Sequence, residues 1–260
     1  MKLSLSALAL IAIIALPAAG QTRQSGDNFD WTGRIPAGAW IHVKNLNGPI
    51  SVVAATGDNV EVVGTKRWRR GDPSVVHFAT ETRGSDVVVC AIWGDATRCD
   101  GRDGNSGRRT RNNDVNVEFR VMVPRGVKVE VETVNGDVTV DGATAEVKAG
   151  TVNGDLDVST TGGRVNASNV NGTVRARLGH IDNDGAMSFD TVNGNVIVEF
   201  TGDFGGDIDL ETVNGSLNTN FEMTVSGRLD PKHIRAHIGR PGGPRIKLET
   251  VNGNVELRRR

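Results

Sequence analysis

Val-Glu-Val-Glu-Thr-Val-Asn-Gly-Asp-Val-Thr-Val, residues 129–140, is the stretch that decides the fold, because close copies of it recur to the end of the chain. Each copy contains an Asn-Gly pair, and a looser Leu-Asn-Gly version stands near the front. The seven pairs are Asn47-Gly48, Asn135-Gly136, Asn153-Gly154, Asn171-Gly172, Asn193-Gly194, Asn214-Gly215 and Asn252-Gly253. Repetition at about 20 residues is typical of proteins built from stacked coils.

The spacing of the asparagines indicates how many units the chain contains. From Asn135 onward the successive separations are 18, 18, 22, 21 and 38 residues. The last separation is about twice the others. We therefore predict one further unit between Asn214 and Asn252 that has lost its Asn-Gly pair.

The apolar residues of each copy alternate with polar ones on both sides of the Asn-Gly pair. Around Asn135 they are Val129 and Val131 before the pair and Val138 and Val140 after it, and the other copies keep apolar residues at nearly all of these offsets. Alternation at period two predicts a strand with one buried face. Each unit therefore consists of a strand, a bend and a second strand.

Two architectures fit this unit, since Asn-Gly turns a chain sharply without strain. The pair could close a hairpin in a long antiparallel meander, or it could mark one corner of a parallel β-solenoid. An open meander of a dozen or more strands would curl or split. We therefore predict an all-β protein that is a parallel β-solenoid of roughly 20-residue coils, with the antiparallel hairpin meander as the alternative.

The first 20 residues have the pattern of a signal peptide. Lys2 supplies the positive end, residues 3–16 the apolar run and Ala18-Ala19-Gly20 a small-residue cleavage site. We expect residues 21–30 to be a linker, 31–123 an irregular β region, and 124–260 the regular repeat region. Export to the periplasm or the cell surface is predicted, with no transmembrane segment after cleavage.

The two cysteines, Cys90 and Cys99, are nine residues apart. In an oxidising compartment, two thiols at this spacing indicate a disulfide that pins the intervening loop. We expect no metal ion at these residues, since only His77 lies close in sequence.

Composition excludes some functions. The formal net charge of −1 gives no general attraction to nucleic acid. Acidic residues stand three positions before the Asn in four copies, namely Glu132, Asp190, Glu211 and Glu249, but Gly150 and Ser168 interrupt the series. A charged outer face explains them better than a catalytic groove. We therefore expect no catalytic residue, no cofactor and no metal.

Two further predictions concern side chains. The Asn column is expected to form an internal ladder, in which each amide bonds to the next coil. The four tryptophans lie in the front half, at Trp31, Trp40, Trp68 and Trp93. We expect them to close the apolar end of the stack, and a sugar-stacking platform is the alternative.

The chain resembles a bacterial adhesin-like family of β-strand-repeat proteins of unknown function. The resemblance lies in Ile35-Pro36-Ala37-Gly38, in the stretch from Val43 to Val52, in Val121-Met122-Val123-Pro124-Arg125-Gly126 and in the Thr-Val-Asn-Gly repeats. It spans about residues 31–257. The resemblance implies an exported β-solenoid-like protein without established catalytic residues.

These observations favour a non-enzymatic envelope protein, adhesin-like, whose repeat face binds a glycan or a protein. One alternative is a carbohydrate-active enzyme on a β-solenoid, which would gather carboxylates from adjacent coils. The other is a self-assembling scaffold, because stacked coils expose edge strands that can add further copies.

Overall fold

A computed structural model describes residues 20–100, 113–181, 185–202, 204–227, 230–239 and 243–260. The predicted signal peptide lies outside the described residues except for Gly20. Strands dominate, and a single 3-10 turn spans Pro73–Val75 in the described part of the chain. No helix there has the length and apolar character needed to cross a membrane.

The strands belong to two sheets of eleven strands each, as far as the described residues show. In chain order they are β1 (Gln21–Ser25), β2 (Asn28–Gly33), β3 (Trp40–Lys44), β4 (Ile50–Ala54), β5 (Val60–Arg67), β6 (Val76–Arg83), β7 (Asp86–Trp93), β8 (Asn116–Val123), β9 (Lys128–Glu132), β10 (Val138–Ala143), β11 (Val147–Gly150), β12 (Leu156–Thr160), β13 (Val165–Ser168), β14 (Val174–Leu178), β15 (Met187–Asn193), β16 (Val196–Phe200), β17 (Gly206–Asn214), β18 (Leu217–Thr219), β19 (Thr224–Val225), β20 (His233–Ile238), β21 (Arg245–Asn252) and β22 (Val255–Arg259).

Each repeat contributes one strand to each sheet. In sheet A the order is β1-β2-β5-β8-β4-β10-β12-β14-β16-β22-β18, and in sheet B it is β19-β20-β17-β21-β15-β13-β11-β9-β3-β7-β6. The two strands that flank an Asn-Gly pair therefore lie in different sheets, and each pairs in parallel with its counterpart in the next repeat. The predicted parallel β-solenoid is confirmed, and the hairpin meander is wrong.

The coils do not stack in chain order. From one end of the molecule to the other, coils 1 to 8 are β7–β8, β3–β4, β9–β10, β11–β12, β13–β14, β15–β16, β21–β22 and β17–β18. The last coil of the chain, coil 7, is therefore inserted between coils 6 and 8, which precede it in sequence. At about 4.8 Å per step the eight coils span roughly 34 Å.

The prediction of a further unit between Asn214 and Asn252 is wrong. Those residues form β18, β19 and β20 instead, and β20 runs antiparallel to β17 at the edge of sheet B. The chain needs this extra length because it must cover the end of the stack and then return to insert coil 7.

Aromatic residues close both ends of the core. At the coil 1 end, β5 lies antiparallel to β2 and β8, and the Phe29 and Phe78 rings stack 4.8 Å apart. At the coil 8 end, the Phe200 and Phe204 rings stack at 4.3 Å, and Phe221 packs edge-on against both.

The prediction for the tryptophans is right for two of the four. Trp31 and Trp93 are buried near the coil 1 end. Trp40, by contrast, lies half-buried on the outer face of sheet B, with the Lys148 ammonium 4.6 Å from its ring, and Trp68 is exposed.

The predicted disulfide joins Cys90 and Cys99, whose Cα atoms are 5.7 Å apart. It closes a loop that folds back over the outer face of β7, where Cys90, Ile92 and Ala96 form a small second core. This cover explains why β7 is buried on both faces, whereas the other coil strands of sheet B alternate.

Candidate functional site

The edge of the stack where the Asn-Gly pairs lie, called here the bend edge, is formed by backbone packed against backbone. A Cβ atom at Gly172 would overlap the carbonyl oxygen of Gly154 in the neighbouring coil. The same overlap would occur at Gly215, whose backbone conformation does not itself call for glycine. Glycine is therefore required here because neighbouring coils approach closely. This reason adds to the bend conformation inferred from the sequence.

A buried column lies two residues before each Asn, and sequence analysis missed its role. In coils 3 to 8 its side chain donates a hydrogen bond to the glycine carbonyl of the adjacent coil. An example is Thr191 Oγ1 to Gly172 O at 3.1 Å. The donors of the column are Thr133, Thr151, Asn169, Thr191, Thr250 and Thr212. Threonine at this offset in five of seven copies was the available signal.

The asparagines form a continuous ladder on the surface. From Asn135 onward each amide nitrogen donates to the amide oxygen of the preceding coil, as in Asn171 Nδ2 to Asn153 Oδ1 at 2.9 Å. The series runs through Asn47, Asn135, Asn153, Asn171, Asn193, Asn252 and Asn214. The predicted bonding is present, but the prediction that the ladder is internal is wrong, because six of the seven side chains are exposed and that of Asn47 is half-buried.

An aliphatic residue precedes every Asn of this ladder, and six of the seven are exposed. These residues are Leu46, Val134, Val152, Val170, Val192, Val251 and Val213, and all but the half-buried Val134 are at least 36% exposed. Valine is ordinarily buried, so its residue type argued against this row, although the period of two places these positions on the outward side. The bend edge therefore carries an apolar row beside its amide ladder.

The outer face of sheet B, called here the B face, carries polar side chains that the repeats place in register. In coils 2 to 4 they form ion pairs between neighbouring coils. Lys44 lies 3.2 Å from Glu132, and His42 lies 3.3 Å from Glu130. Charges alternate in sign here, so this part of the face is electrically balanced.

The middle of the B face is a shallow trough of about 200 Å³ across coils 3 to 6. Its floor consists of small or short residues, Gly150, Ser168, Ser188 and Asn166, and its borders are Glu130, Glu132, Lys148 and Asp190. The Ser168 hydroxyl donates to the Asp190 carboxylate at 2.6 Å. The small residues that interrupt the acidic series in the sequence therefore create the depression.

The acidic series continues beyond the trough. Asp190, Glu249 and Glu211 lie in register on coils 6, 7 and 8. A hydrogen bond from Lys247 to Glu249 raises the pKa of the Lys247 ammonium, and the charges of Glu211 and Asp209 add to this effect. The coil 8 end of the B face therefore carries a group of carboxylates, with Lys247 among them.

A larger depression, of about 440 Å³, lies between the disulfide loop and the bend edge. Leu46, Ile92 and Trp93 are among the apolar residues that line it, and Lys44 and Arg98 are its charged residues. Its wall belongs to a loop that continues into residues 101–112, outside the described residues. We therefore base the candidate site on the trough, which lies away from that loop.

The repeat array identifies the family. A family model described as Toastrack DUF4097 matches residues 40–258, a range that includes strands of all eight coils. The chain belongs to the Toastrack DUF4097 family. The family resemblance predicted from the repeats is thereby confirmed.

Two solved structures are similar to this Toastrack chain. One is a candidate cell adhesion protein from Clostridium sporogenes, with 11% identity, a TM-score of 0.48, and coverage of 94% of this chain and 99% of that one. The other is a candidate adhesin from Bacteroides fragilis, with 11% identity, a TM-score of 0.37, and coverage of 91% and 98%. A comparison with curated proteins finds no significant match.

The sequence-predicted residues of this Toastrack protein fall in three places. The Asn-Gly pairs lie at the bend edge, Cys90 and Cys99 lie beside it near coil 1, and the four acidic residues share one row of the B face. Only the acidic row reaches the trough, through Glu132 and Asp190.

Proposed function

We propose that the protein is exported and acts as a non-enzymatic, adhesin-like binding protein that holds an envelope glycan in the trough of the B face. The observation that carries this proposal is the trough itself, a depression with a floor of Gly150, Ser168, Ser188 and Asn166 in the middle of a rigid sheet. The in-register strands beneath fix the side chains in position, so little ordering is required on binding.

The polar groups of the trough suit sugar hydroxyls. Each hydroxyl both donates and accepts hydrogen bonds, and the trough offers acceptors at Glu132 and Asp190, a donor at Lys148, and both kinds at Asn166 and Ser188. Its volume of about 200 Å³ leaves room for one sugar ring or a short branch. A long glycan would continue along the stack over neighbouring coils.

Export is supported by two features. Residues 1–20 have the composition of a signal peptide, and the Cys90–Cys99 disulfide is a bond that persists in oxidising compartments. Amino-terminal sequencing of the protein recovered from the envelope or the medium is expected to begin at Gln21. A chain that retains Met1 in the cytoplasm would contradict this part of the proposal.

The carbohydrate-active enzyme is less well supported. Catalytic carboxylates need an acid whose pKa is raised, usually by burial in a cleft. Asp190, Glu249 and Glu211 instead form a row on an open face, with Lys247 bonded to Glu249. This arrangement favours binding over proton transfer.

The self-assembling scaffold is also less well supported. An added copy would need a long exposed edge strand. Sheet A ends in β18 and sheet B in β19, which have three and two residues respectively, and at the opposite end β1, β2, β5 and β6 add antiparallel strands beyond coil 1. The short edge strands at the coil 8 end and the antiparallel strands beyond coil 1 disfavour continued parallel stacking.

The proposal can be tested by filling the trough. A Cβ atom at Gly150 would meet its nearest neighbour, Glu132 Cγ, at 3.8 Å, so a larger side chain fits there without backbone strain. Gly150→Trp is expected to lower the affinity for an envelope polysaccharide at least tenfold, measured by isothermal titration calorimetry. Equal binding by this variant and the wild type would contradict the trough as the site.

Ser159→Trp is the matched control. Ser159 follows Gly150 in the same coil but lies half-buried on the outer face of sheet A, so this variant is expected to bind like the wild type. The same incubations are assayed for new reducing or unsaturated sugar ends. Their appearance with the wild type and not with Gly150→Trp would establish the enzyme in place of the binding protein.

A further inference from the structure

Three metal-ligating side chains converge at the coil 8 end of the B face, outside the trough. Asp209 and Glu211 point to the same side of β17 because they are two residues apart on one strand. His233 lies directly opposite Glu211 on the antiparallel strand β20. One ligand atom from each of the three lies within 4.8 Å of the other two, and all three residues are half-buried.

The donor set is one imidazole nitrogen and two carboxylate oxygens. Such a set suits transition ions such as Zn²⁺, whereas Ca²⁺ and Mg²⁺ favour oxygen ligands alone. His233 Nε2 lies 2.8 Å from Asp209 Oδ1. Neighbouring ligand atoms around a tetrahedral zinc ion are about 3.3 Å apart, so a small shift would let an ion replace the proton shared by these two groups.

We propose that Asp209, Glu211 and His233 bind a divalent transition-metal ion of the zinc type. With three protein ligands, the ion would keep an open position for water or for a group on a partner. Arg235 Nε donates to the second oxygen of Asp209 at 3.2 Å. It therefore orients the carboxylate with Oδ1 towards His233, as an outer partner of a metal ligand does.

The ion would add a side-chain link between two strands, β17 and β20, that already pair antiparallel. β20 belongs to the cap of the stack, and β17 belongs to coil 8, the outermost coil. A ligand set shared between them would hold the cap against the coil. Because the ion would bind the folded chain in preference to the unfolded one, it would raise the melting temperature.

The experiment is equilibrium dialysis of the purified protein against Zn²⁺, with metal analysis and thermal unfolding of the same samples. The wild type is expected to bind one Zn²⁺ per chain at this site and to melt at a higher temperature with Zn²⁺ than with a chelator. His233→Ala is expected to weaken this binding at least tenfold and to abolish the Zn²⁺-dependent rise.

His237→Ala is the matched control, since His237 lies on the same strand and faces Asp207 at 2.9 Å. It is expected to keep both the Zn²⁺ and the rise in melting temperature.

Glu211→Gln preserves the size of the side chain and serves if His233→Ala fails to fold. Its loss of Zn²⁺ would support the site. The proposal is overturned if the wild type binds no Zn²⁺ or if the ligand variants bind it as the wild type does. It is also overturned if His237→Ala loses as much Zn²⁺ affinity as His233→Ala.

Discussion

At the scale of single residues, the buried threonine two positions before each asparagine connects one coil to the next. Thr191 is 3% exposed, and its hydroxyl donates to the carbonyl oxygen of Gly172 across the coil boundary. Leaving such a carbonyl without a donor beside the core would be unfavourable, since an unpaired buried polar group costs about 1–3 kcal/mol. The column therefore donates to the glycine carbonyl oxygens at the bend, which the hydrogen bonds between paired strands leave without a partner.

Replacing Thr191 by valine should lower the free energy of unfolding by about 1–2 kcal/mol. Valine has nearly the same shape but removes the donor to Gly172. Denaturant unfolding measures the change. Thr139→Val, at an exposed position on the outer face of sheet A, is the control and should change the free energy by less than about 0.5 kcal/mol. Similar losses in both variants would show that the bond to Gly172 contributes nothing specific.

The asparagine ladder leads to a second prediction at this scale. Asn171 takes part in two side-chain bonds, as donor to Asn153 and as acceptor from Asn193, whereas Asn214 stands at the end and donates to Asn252. Asn171→Ala should therefore cost about 1 kcal/mol, and Asn214→Ala should cost less. Denaturant midpoints compare the two variants directly. A larger loss at Asn214 would rule out the ladder as the cause.

The burial of individual residues could be predicted from the sequence only where alternation reports it. Val129 and Val131 are buried as the period of two indicated. Val192 lies on the outward side of the same alternation, with Ser188 and Asp190. Its aliphatic side chain predicts burial instead, and this conflict is why the exposed aliphatic row was missed.

At the scale of elements, a carboxylate ties the disulfide loop to the strand beneath it. Glu81 on β6 accepts hydrogen bonds from Arg83 and from the backbone N–H of Cys99. These two interactions, the Arg83 bond foremost, lower the pKa of the Glu81 carboxyl below its ordinary value of 4.5. The charged form is therefore the one that holds the loop.

This tie should weaken in acid. A group whose pKa is lowered by folding stabilises the folded form above its ordinary pKa, and that stabilisation is lost as the pH falls through the lowered value. Hydrogen exchange should show less protection of the Cys99 amide at about pH 3 than at neutral pH. Glu81→Gln should remove most of this difference. Equal pH dependence in both proteins would show that another group is responsible.

At the scale of the whole molecule, the order of the coils could not be predicted from the sequence. Ile246 and Leu248 of coil 7 occupy the same columns as Ile208 and Leu210 of coil 8. Either pair could pack against Met187 and Phe189 of coil 6 with almost the same burial. The apolar residues at equivalent positions of the repeats therefore predicted the stack and its core, but they did not determine the positions of the last two coils.

Deleting residues 245–260 should test the inserted coil. The deletion removes Ile246, Leu248, Val255 and Leu257, all fully buried, which contribute roughly 6–12 kcal/mol of apolar burial. It also separates coil 8 from coil 6. The melting temperature should fall by at least about 10 °C, and limited proteolysis should release residues 206–239.

Deleting residues 21–25 is the control for this truncation. That segment is β1, which pairs only with β2 at the edge of sheet A among the described residues. Its loss should leave the remainder of the stack protease-resistant. If deleting residues 245–260 lowers the stability no more than deleting residues 21–25, the position of coil 7 between coils 6 and 8 would be contradicted.

The inserted coil also sets the timing of assembly during synthesis. Strand β18 has β22 as its partner in sheet A, so its place in the stack exists only after residues 255–259 have been made. A nascent chain therefore carries β18 without its neighbour in sheet A until residues 255–259 emerge. Synthesis of that strand is the step that lets β18 join the stack, and a chain interrupted before it keeps β18 unpaired in sheet A.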